Sequence, residues 1–278
     1  PPRSTLFPYT TLFRSLNQSN NYEDYKAAIA NYMCPAQNFV FASASGDIAI
    51  WQQGKFPNKW KDQGRFILDG SREDHMWTSY IPQQDNPHVY NPEQGFVQSA
   101  NQHPTSELYS YSTTGRYEDF RGRRLDQLLT EADSMDVEDM KAIQLDNYFQ
   151  GAAEILPFLL SELDTLIMNG SERKIYDALK AWDYNYTSQQ FEPNVYEAWW
   201  SKLYGKVWED EFKNSPLALT YPKTRTFMNL LRDSLELSYY QVVGDTSKFT
   251  RKGLINASFK ETLQELYQKS EYPAMWTW

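Results

Sequence analysis

The strongest constraint on the fold of this sequence is a change of residue pattern near Tyr117. Before it, residues 38–43 and 47–52 are rich in β-branched and aromatic side chains, and the turn between them contains Gly46. This arrangement is typical of a β-hairpin. After it, apolar residues recur at the spacing of one helix face, in one segment after another. The sequence therefore predicts an α+β chain in which a part with strands precedes a mainly helical part.

The helix predictions rest on apolar residues that recur every three or four positions. One helix is predicted over residues 21–33 and ends before Pro35. The others are predicted over residues 118–130, 137–150, 152–168, 171–182, 194–213, 224–242 and 258–269. Between residues 54 and 105, frequent Pro, Gly, Asn and Gln indicate loop-rich structure. An aromatic and apolar row on the helix over residues 194–213 favours core packing over a stacking surface for ligands, and consists of Tyr196, Trp200, Tyr204, Val207 and Phe212.

Residues 1–15 read PPRSTLFPYTTLFRS, and their apolar residues recur neither at the spacing of a strand nor at that of a helix. They contain no acidic residue and no continuous apolar stretch of the kind found in signal peptides. They match at every position the in-frame translation of a sequencing adapter. We therefore interpret residues 1–15 as an adapter-derived artefact and expect them to make no stable contacts with the rest of the chain. On this interpretation the natural chain is truncated at Leu16.

Charge and composition argue against several classes of protein. With 27 Lys plus Arg against 36 Asp plus Glu, the formal net charge is −9, and the basic residues form no block. Nucleic acid is not an expected partner, since affinity for it comes mainly from basic groups that neutralise phosphates. No apolar run reaches the roughly 18 residues that a membrane span needs. The chain has one Cys, so no internal disulfide is expected, and its three His are scattered, so no zinc site is expected.

The sequence lacks the short motifs of self-contained enzyme chemistry, such as the P-loop, the dinucleotide-binding glycine pattern, HExxH, CxxC and GxSxG. A longer series of segments within residues 38–146 is informative instead. In chain order it reads NFVFASASGDIAIWQQGKFP, GRFILDGS, YIPQQDNPHVYNPEQGFVQSANQHP, FRGRRLDQLL and VEDMKAIQLD. This series, in this order and spacing, resembles the β chain of the penicillin acylase family, whose members are N-terminal-nucleophile (Ntn) amidohydrolases.

The resemblance implies a partial Ntn-hydrolase αββα sandwich with the oxyanion loop in residues 16–116, and a mainly helical region of the same β chain in residues 117–278. It implies a fragment of an amidase that hydrolyses an acyl amide, of the β-lactam side-chain or N-acyl homoserine lactone type. In the family, cleavage of a precursor exposes an N-terminal Ser whose own α-amine activates its hydroxyl. That Ser is expected upstream of the present sequence, so this fragment alone is expected to be inactive.

Two residues match catalytic positions of the family. Asn101 matches the Asn that donates its carboxamide N–H to the oxyanion of the tetrahedral intermediate. Arg121 begins the RxRR helix and matches the Arg that orients this Asn and the surroundings of the nucleophile. Because both act on one reacting carbonyl, they are expected to lie on one concave surface.

Two further residues match binding positions of the family. Gln37 matches a wall position of the acyl pocket, where the family often has an apolar residue. Glu107 matches a carboxylate ligand of a structural calcium site, where the family prefers Asp. Calcium needs several oxygen ligands, so Glu107 cannot form a site alone, and no cofactor is expected for catalysis. His103 is interpreted as a structural loop residue, because the family chemistry needs no histidine base.

Two other functions stay open beside the amidase. One is a non-catalytic relative that binds acyl ligands, and the other is a saccharide-binding module, for which an aromatic content of 16% would be suitable. The expected partners of the amidase are a small-molecule acyl amide and the α chain of the same processed precursor. The resemblance alone implies a periplasmic or otherwise exported protein.

Overall fold

The computed structural model describes residues 8–115, 117–118, 120–213, 215–216, 220–233, 240, 250–271, 273 and 276, with the side chains of residues 8–11, 210 and 211 left aside. The chain divides into two compact units, Pro1–Ile143 and Gln144–Trp278. The division lies downstream of the change in sequence pattern, because helix α3 (Phe120–Thr130) and all but the last residue of α4 (Val137–Gln144) follow the strands in the first unit.

A three-stranded antiparallel sheet forms the centre of the first unit. It consists of β1 (Gln37–Ala42), β2 (Ile48–Gln53) and β3 (His88–Tyr90), in the spatial order β1-β2-β3. The β1–β2 pair is the hairpin that the sequence predicts, with bounds that differ by one residue. Its turn contains Gly46 at a φ of +93°, a conformation that side chains with a Cβ rarely adopt.

The two faces of this sheet differ in what covers them. Phe39, Phe41 and Trp51 project from one face, because side chains alternate along a strand. They pack against helix α2 (Tyr22–Ile29), whose Asn21 cap accepts a hydrogen bond from the Asp24 amide. The other face carries Val40 of β1 and Val89 of β3, which pair with Ile50 from either side. Val40 is 61% exposed and Val89 is 44% exposed, so this face is open in the part of the chain that the structure describes.

Helix α1 (Pro8–Leu16) lies in the segment interpreted as adapter-derived, except for its last residue. The expectation that this segment makes no contacts is wrong for Leu12, which is buried in one cluster with Tyr25, Ile29, Tyr32 and Trp51. The physical reason is that Leu12 and Leu16 share one side of a helix and cover apolar surface beside α2. Phe13 is 59% exposed, and Phe7 lies outside the described residues. The adapter origin of residues 1–15 stays a prediction.

The carboxylate of Asp47 ties the hairpin turn to the end of β3. It accepts hydrogen bonds from Asn91 Nδ2 at 2.8 Å, Tyr90 Oη at 2.9 Å and Ser45 Oγ at 2.9 Å. Asn91 also accepts a bond from the Ile48 amide through its side-chain oxygen, at 2.8 Å. These hydrogen bonds hold the pKa of the Asp47 carboxyl below its usual value of 3.8. The bond from Asn91 has the largest effect, and the bond from Tyr90 the next largest.

We expect the Asp47 carboxyl to titrate below the pH at which an unstructured Asp does. A depressed native pKa means that this carboxylate stabilises the fold above about pH 4, and that the stabilisation is lost as the pH falls through the native pKa. Following the Asp47 side-chain carbon by NMR from pH 6 to pH 2 measures the midpoint. Asn91→Ala should move that midpoint upward, since it removes the hydrogen bond that lowers the Asp47 pKa most. A midpoint at or above the ordinary Asp pKa would contradict the hydrogen bonding of Asp47 described above.

The second unit is helical and has its own core. It contains α5 (Gln150–Ser161), α6 (Gly170–Ala181), α7 (Glu192–Lys213), α8 (Thr224–Asp233) and α9 (Arg251–Lys269). Helices α7 and α9 pack together around Trp199, whose indole N–H donates to Ser258 Oγ at 3.0 Å and whose ring contacts Phe259. Burying side chains of this size contributes about 1.5–3 kcal/mol each. Among the described residues, no helix is long and apolar enough to span a bilayer.

The predicted helices are present, but several bounds differ. The helix predicted over residues 152–168 ends at Ser161, and the helix predicted over residues 258–269 begins earlier, at Arg251. The helix predicted over residues 137–150 ends at Gln144, because residues 147–149 instead exchange hydrogen bonds with residues 184–186. The segment predicted over residues 224–242 is helical through Asp233, and most of its remainder lies outside the described residues. The aromatic row of α7 is confirmed as core at Tyr196, Trp200 and Val207, which are buried.

Candidate active site

The site is built where the loop that carries Asn101 meets the start of α3. Asn101 has a φ of +66°, a left-handed conformation that Asn tolerates better than most residues. Its carbonyl oxygen accepts a hydrogen bond from the Glu118 amide at 3.1 Å, just before the first turn of α3. The loop backbone is therefore fastened to the helix entry, and the Asn101 side chain is directed by a fixed backbone.

A direct hydrogen bond joins the two residues predicted to be catalytic. Arg121 Nη2 donates to Asn101 Oδ1 at 2.8 Å. A guanidinium has only donors, so the carboxamide must present its oxygen to Arg121 and direct its NH₂ group away. Among the described residues Asn101 Nδ2 has no hydrogen-bond partner. The arrangement leaves an oriented N–H donor available to an external oxygen.

Glu118 holds the guanidinium in place from its other side. Glu118 Oε2 accepts from Arg121 Nε at 2.9 Å, while Glu118 Oε1 accepts from the Phe120 amide at 3.1 Å. The Arg121 side chain is 62% exposed, so the ion pair itself contributes little to stability. Its effect is geometric, because it fixes the plane of the guanidinium that orients Asn101.

Asn101 lines a cavity of about 290 Å³. The wall formed by the open face of the sheet includes Asn38, Ile50 and Gln52. Asn38 Nδ2 donates to Ser99 Oγ at 2.7 Å, which connects β1 to the loop that carries Asn101. The cavity thus places the Asn101 amide beside a wall that mixes polar side chains with apolar ones such as Ile50 and Val89. A few polar groups among apolar ones are typical of small-molecule sites.

His103 also lines this cavity, but both of its ring nitrogens have partners within the loop. Nδ1 lies 2.9 Å from the Thr105 carbonyl oxygen, and Nε2 lies 3.1 Å from Thr113 Oγ1. The ring packs edge-on against Tyr117. These contacts suit the interpretation of His103 as a structural loop residue.

The other two predicted binding residues lie away from this cavity wall. Gln37 opens β1 opposite Gln53, and strand alternation directs its side chain to the face opposite that of Asn38. Glu107 is an exposed loop residue. No group of three or more His, Cys, Asp or Glu residues in the described part of the chain is arranged to hold a metal ion. A hard cation such as calcium takes six to eight oxygens, so the described residues do not form such a site on their own.

Sequence reasoning missed several polar residues of the cavity, notably Asn38, Gln52 and Gln102. The available signal was the alternation of β1 and β2, which places Asn38 and Gln52 on one face as a cross-strand pair. Gln102 had no such signal, since it belongs to a loop without a period.

The sequence is similar to known proteins over most of its length. It matches the family model described as penicillin amidase over residues 8–278. It is 26% identical over 219 residues to the acyl-homoserine lactone acylase QuiP of Pseudomonas fluorescens (strain Pf0-1), an alignment that covers 73% of this chain and 26% of that protein. It is 24% identical over 149 residues to the penicillin acylase 2 proenzyme of Pseudomonas sp. (strain SE83), covering 52% of this chain and 19% of that protein. The chain spans about a quarter or less of the length of these curated relatives.

The structure is similar to that of the thermostable penicillin G acylase from Alcaligenes faecalis, with a TM-score of 0.70. The superposition covers 99% of this chain and 55% of that chain, at 16% sequence identity. At this identity the likeness concerns the fold alone. It confirms the predicted α+β class, here a small antiparallel sheet together with many helices.

Proposed function

The chain belongs to the penicillin amidase family, and from this premise we propose that it forms part of an amidohydrolase that cleaves the amide between an acyl group and an amine. The observation that carries the proposal is the hydrogen bond from Arg121 to Asn101 Oδ1. It turns the Asn101 N–H group outward, which is the orientation that an oxyanion-stabilising donor needs.

The proposed reaction is acyl transfer through a Ser that carries a free α-amine. The amine accepts the hydroxyl proton as the Ser oxygen attacks the substrate carbonyl carbon, and the carbonyl oxygen becomes an oxyanion. Asn101 Nδ2 donates to that oxyanion. The intermediate collapses when the same proton passes to the departing amine, leaving an acyl-enzyme ester that water hydrolyses by the same steps. Arg121 acts in this scheme as a positioning residue, because it reaches the reaction through Asn101.

We propose that the nucleophilic Ser is supplied from outside these 278 residues, together with the α chain of the same processed precursor. The Ser closest to Asn101 in the chain is Ser99, which accepts a hydrogen bond from Asn38 and has no free amine. The relatives' lengths are compatible with this proposal, since the chain covers 19% and 26% of them.

The relatives named above are a penicillin acylase and an acyl-homoserine lactone acylase, so the proposed substrates are N-acyl compounds of these two types. Gln37 as an acyl-pocket residue and Glu107 as one ligand of a structural calcium remain proposals from the resemblance. A periplasmic or exported location is proposed on the same ground. The non-catalytic alternative predicts binding without turnover. For the saccharide-binding alternative, the buried α7 aromatics Tyr196 and Trp200 offer no exposed stacking surface.

We expect the 278-residue chain by itself to release no chromophore from phenylacetyl or long-chain acyl amides above a buffer blank. The reason is that losing the nucleophile and its base leaves only the small residual effects of binding and polarisation. The same chain, joined to an upstream portion that begins with the processed Ser, should show turnover. Turnover by the chain alone, abolished by a substitution within residues 16–278, would show that the active centre is complete and would refute the external nucleophile.

A further inference from the structure

The side chain of Gln102 bridges the loop that carries Asn101. Gln102 Oε1 accepts a hydrogen bond from the Ala100 amide at 2.6 Å, and Gln102 Nε2 donates to the Gln98 carbonyl at 3.3 Å. Both ends of the carboxamide therefore bond to the peptide groups on either side of Ser99, two residues before Asn101. A loop residue with a positive φ needs such support, because its conformation is not stabilised by a regular ladder of backbone bonds.

Gln102 also rests directly on helix α3, at Gly122. A methyl group added at Gly122 would lie 2.9 Å from Gln102 Cβ, closer than real Cβ atoms come, and 3.1 Å from Gln102 Oε1, which is tighter than most such contacts. Gly122 is buried, and the Gln102 side chain packs directly on the helix backbone there. The residue before Gly122 is Arg121, and the residue before Gln102 is Asn101. The contact between Gln102 and Gly122 thus sets the separation across which Arg121 reaches Asn101.

We infer that Gln102 is a positioning residue for Asn101, and that Gly122 is the surface against which it is held; this inference rests on the proposed function. Gln102 determines both the conformation of the loop backbone and the position of the loop relative to helix α3. Its hydrogen bonds fix the loop backbone at Ala100, and its contact with Gly122 fixes the distance from the loop to the guanidinium. Neither residue needs to touch substrate for this effect, which separates their role from that of Asn101.

The test compares Gln102→Met with Gln127→Met in the active, Ser-bearing protein. Met approximates the length of Gln and removes both hydrogen bonds, so kcat should fall by about tenfold or more while KM changes little, since misplacement of a reacting group by a fraction of an ångström is costly. Gln127 is exposed on α3 and donates to Glu131, the residue just after that helix, so its variant should keep the parental kcat. Gly122→Ala should act like Gln102→Met, because the added methyl displaces Gln102.

The same substitution in an Asn101→Ala background separates positioning from general damage. If Gln102 acts through Asn101, Gln102→Met should cause no further loss of kcat there, whereas a general loss of structure would lower kcat by the same factor in both backgrounds. An equal loss in both backgrounds overturns the inference. If Asn101→Ala lowers kcat and Gln102→Met does not, the inference about Gln102 is overturned and the proposed function is kept. No effect of Asn101→Ala itself would instead refute the proposed function.

Amide hydrogen exchange, together with a second variant, covers the case in which Gln102→Met does not fold. In the 278-residue chain, the Ala100 amide should exchange with solvent more slowly than the unbonded amides of the same loop, and Gln102→Glu should preserve this protection because a carboxylate still accepts from Ala100. Gln102→Glu should still impair kcat, since it places a negative oxygen against the Gln98 carbonyl. An unprotected Ala100 amide in the parental chain would overturn the inference directly.

Discussion

Replacing Asn101 with Ala should lower kcat of the complete, Ser-bearing protein by about 10² to 10³, which is the usual effect of removing one oxyanion donor. KM should change much less, because the hydrogen bond to the oxyanion exists mainly in the transition state. The structural ground is that Arg121 occupies the carboxamide oxygen and leaves the N–H group directed outward. Initial rates with a chromogenic acyl amide, over a range of concentrations, separate the two constants.

Two companion variants distinguish loss of the donor from strain in the loop backbone. Ala is strained at a φ of +66°, whereas Gly is not, so Asn101→Gly should lose as much kcat as Asn101→Ala while keeping the thermal unfolding midpoint of the parent. Asn101→Asp has the same shape but places a carboxylate where the oxyanion forms, so it should be at least as impaired. Near-parental kcat in either the Gly or the Asp variant would mean that Asn101 is not the donor.

Arg121→Lys should lower kcat by up to about 10², although the charge is kept. Lys is a point donor on a flexible stem, and it cannot bond to Asn101 and Glu118 with the planar geometry of a guanidinium. The Arg121 guanidinium uses Nη2 for Asn101 and Nε for Glu118 at the same time. With Lys, the Asn101 amide loses the contact that fixes which of its two ends faces outward.

Arg124→Lys is the matched control for this prediction, since Arg124 lies on the same helix and donates to Gln127. Its kcat should stay close to that of the parent. If the Arg121 and Arg124 variants show the same kcat, the proposed role of Arg121 is wrong. Addition of salt should affect the parental kcat only weakly, because the role of Arg121 lies in geometry rather than in the strength of an exposed ion pair.

The hairpin and the pairing of Asn101 with Arg121 were accessible from the sequence for different reasons. The hairpin follows from local alternation and from Gly46, so its strands were predicted to within one residue. Asn101 and Arg121 carry no local motif, and only the resemblance of a long series of segments identified them. The assignment of their roles stays a prediction, while the structure brings their side chains into contact.

The features that the sequence did not predict depend on tertiary contacts between distant positions. Gln102 is one polar residue among many in a loop, and its role depends on a glycine in a later helix. The early end of α4 depends on pairing between residues 147–149 and 184–186. Leu12 is buried because α2 offers apolar surface beside it, although nothing in residues 1–15 by themselves predicted a partner.

The contacts that orient Asn101 join residues close together along the chain, and this affects the order in which the molecule can assemble. The bond from Arg121 to Asn101 closes a loop of 20 residues, whereas the tie from Tyr90 to Asp47 joins residues 43 positions apart. Loop-closure entropy grows with the logarithm of loop length, so the shorter closure is the less costly one. Its contacts also lie within the first unit, with both partners upstream of residue 144. During synthesis on the ribosome, the segments that orient Asn101 therefore emerge before any residue of the helical unit.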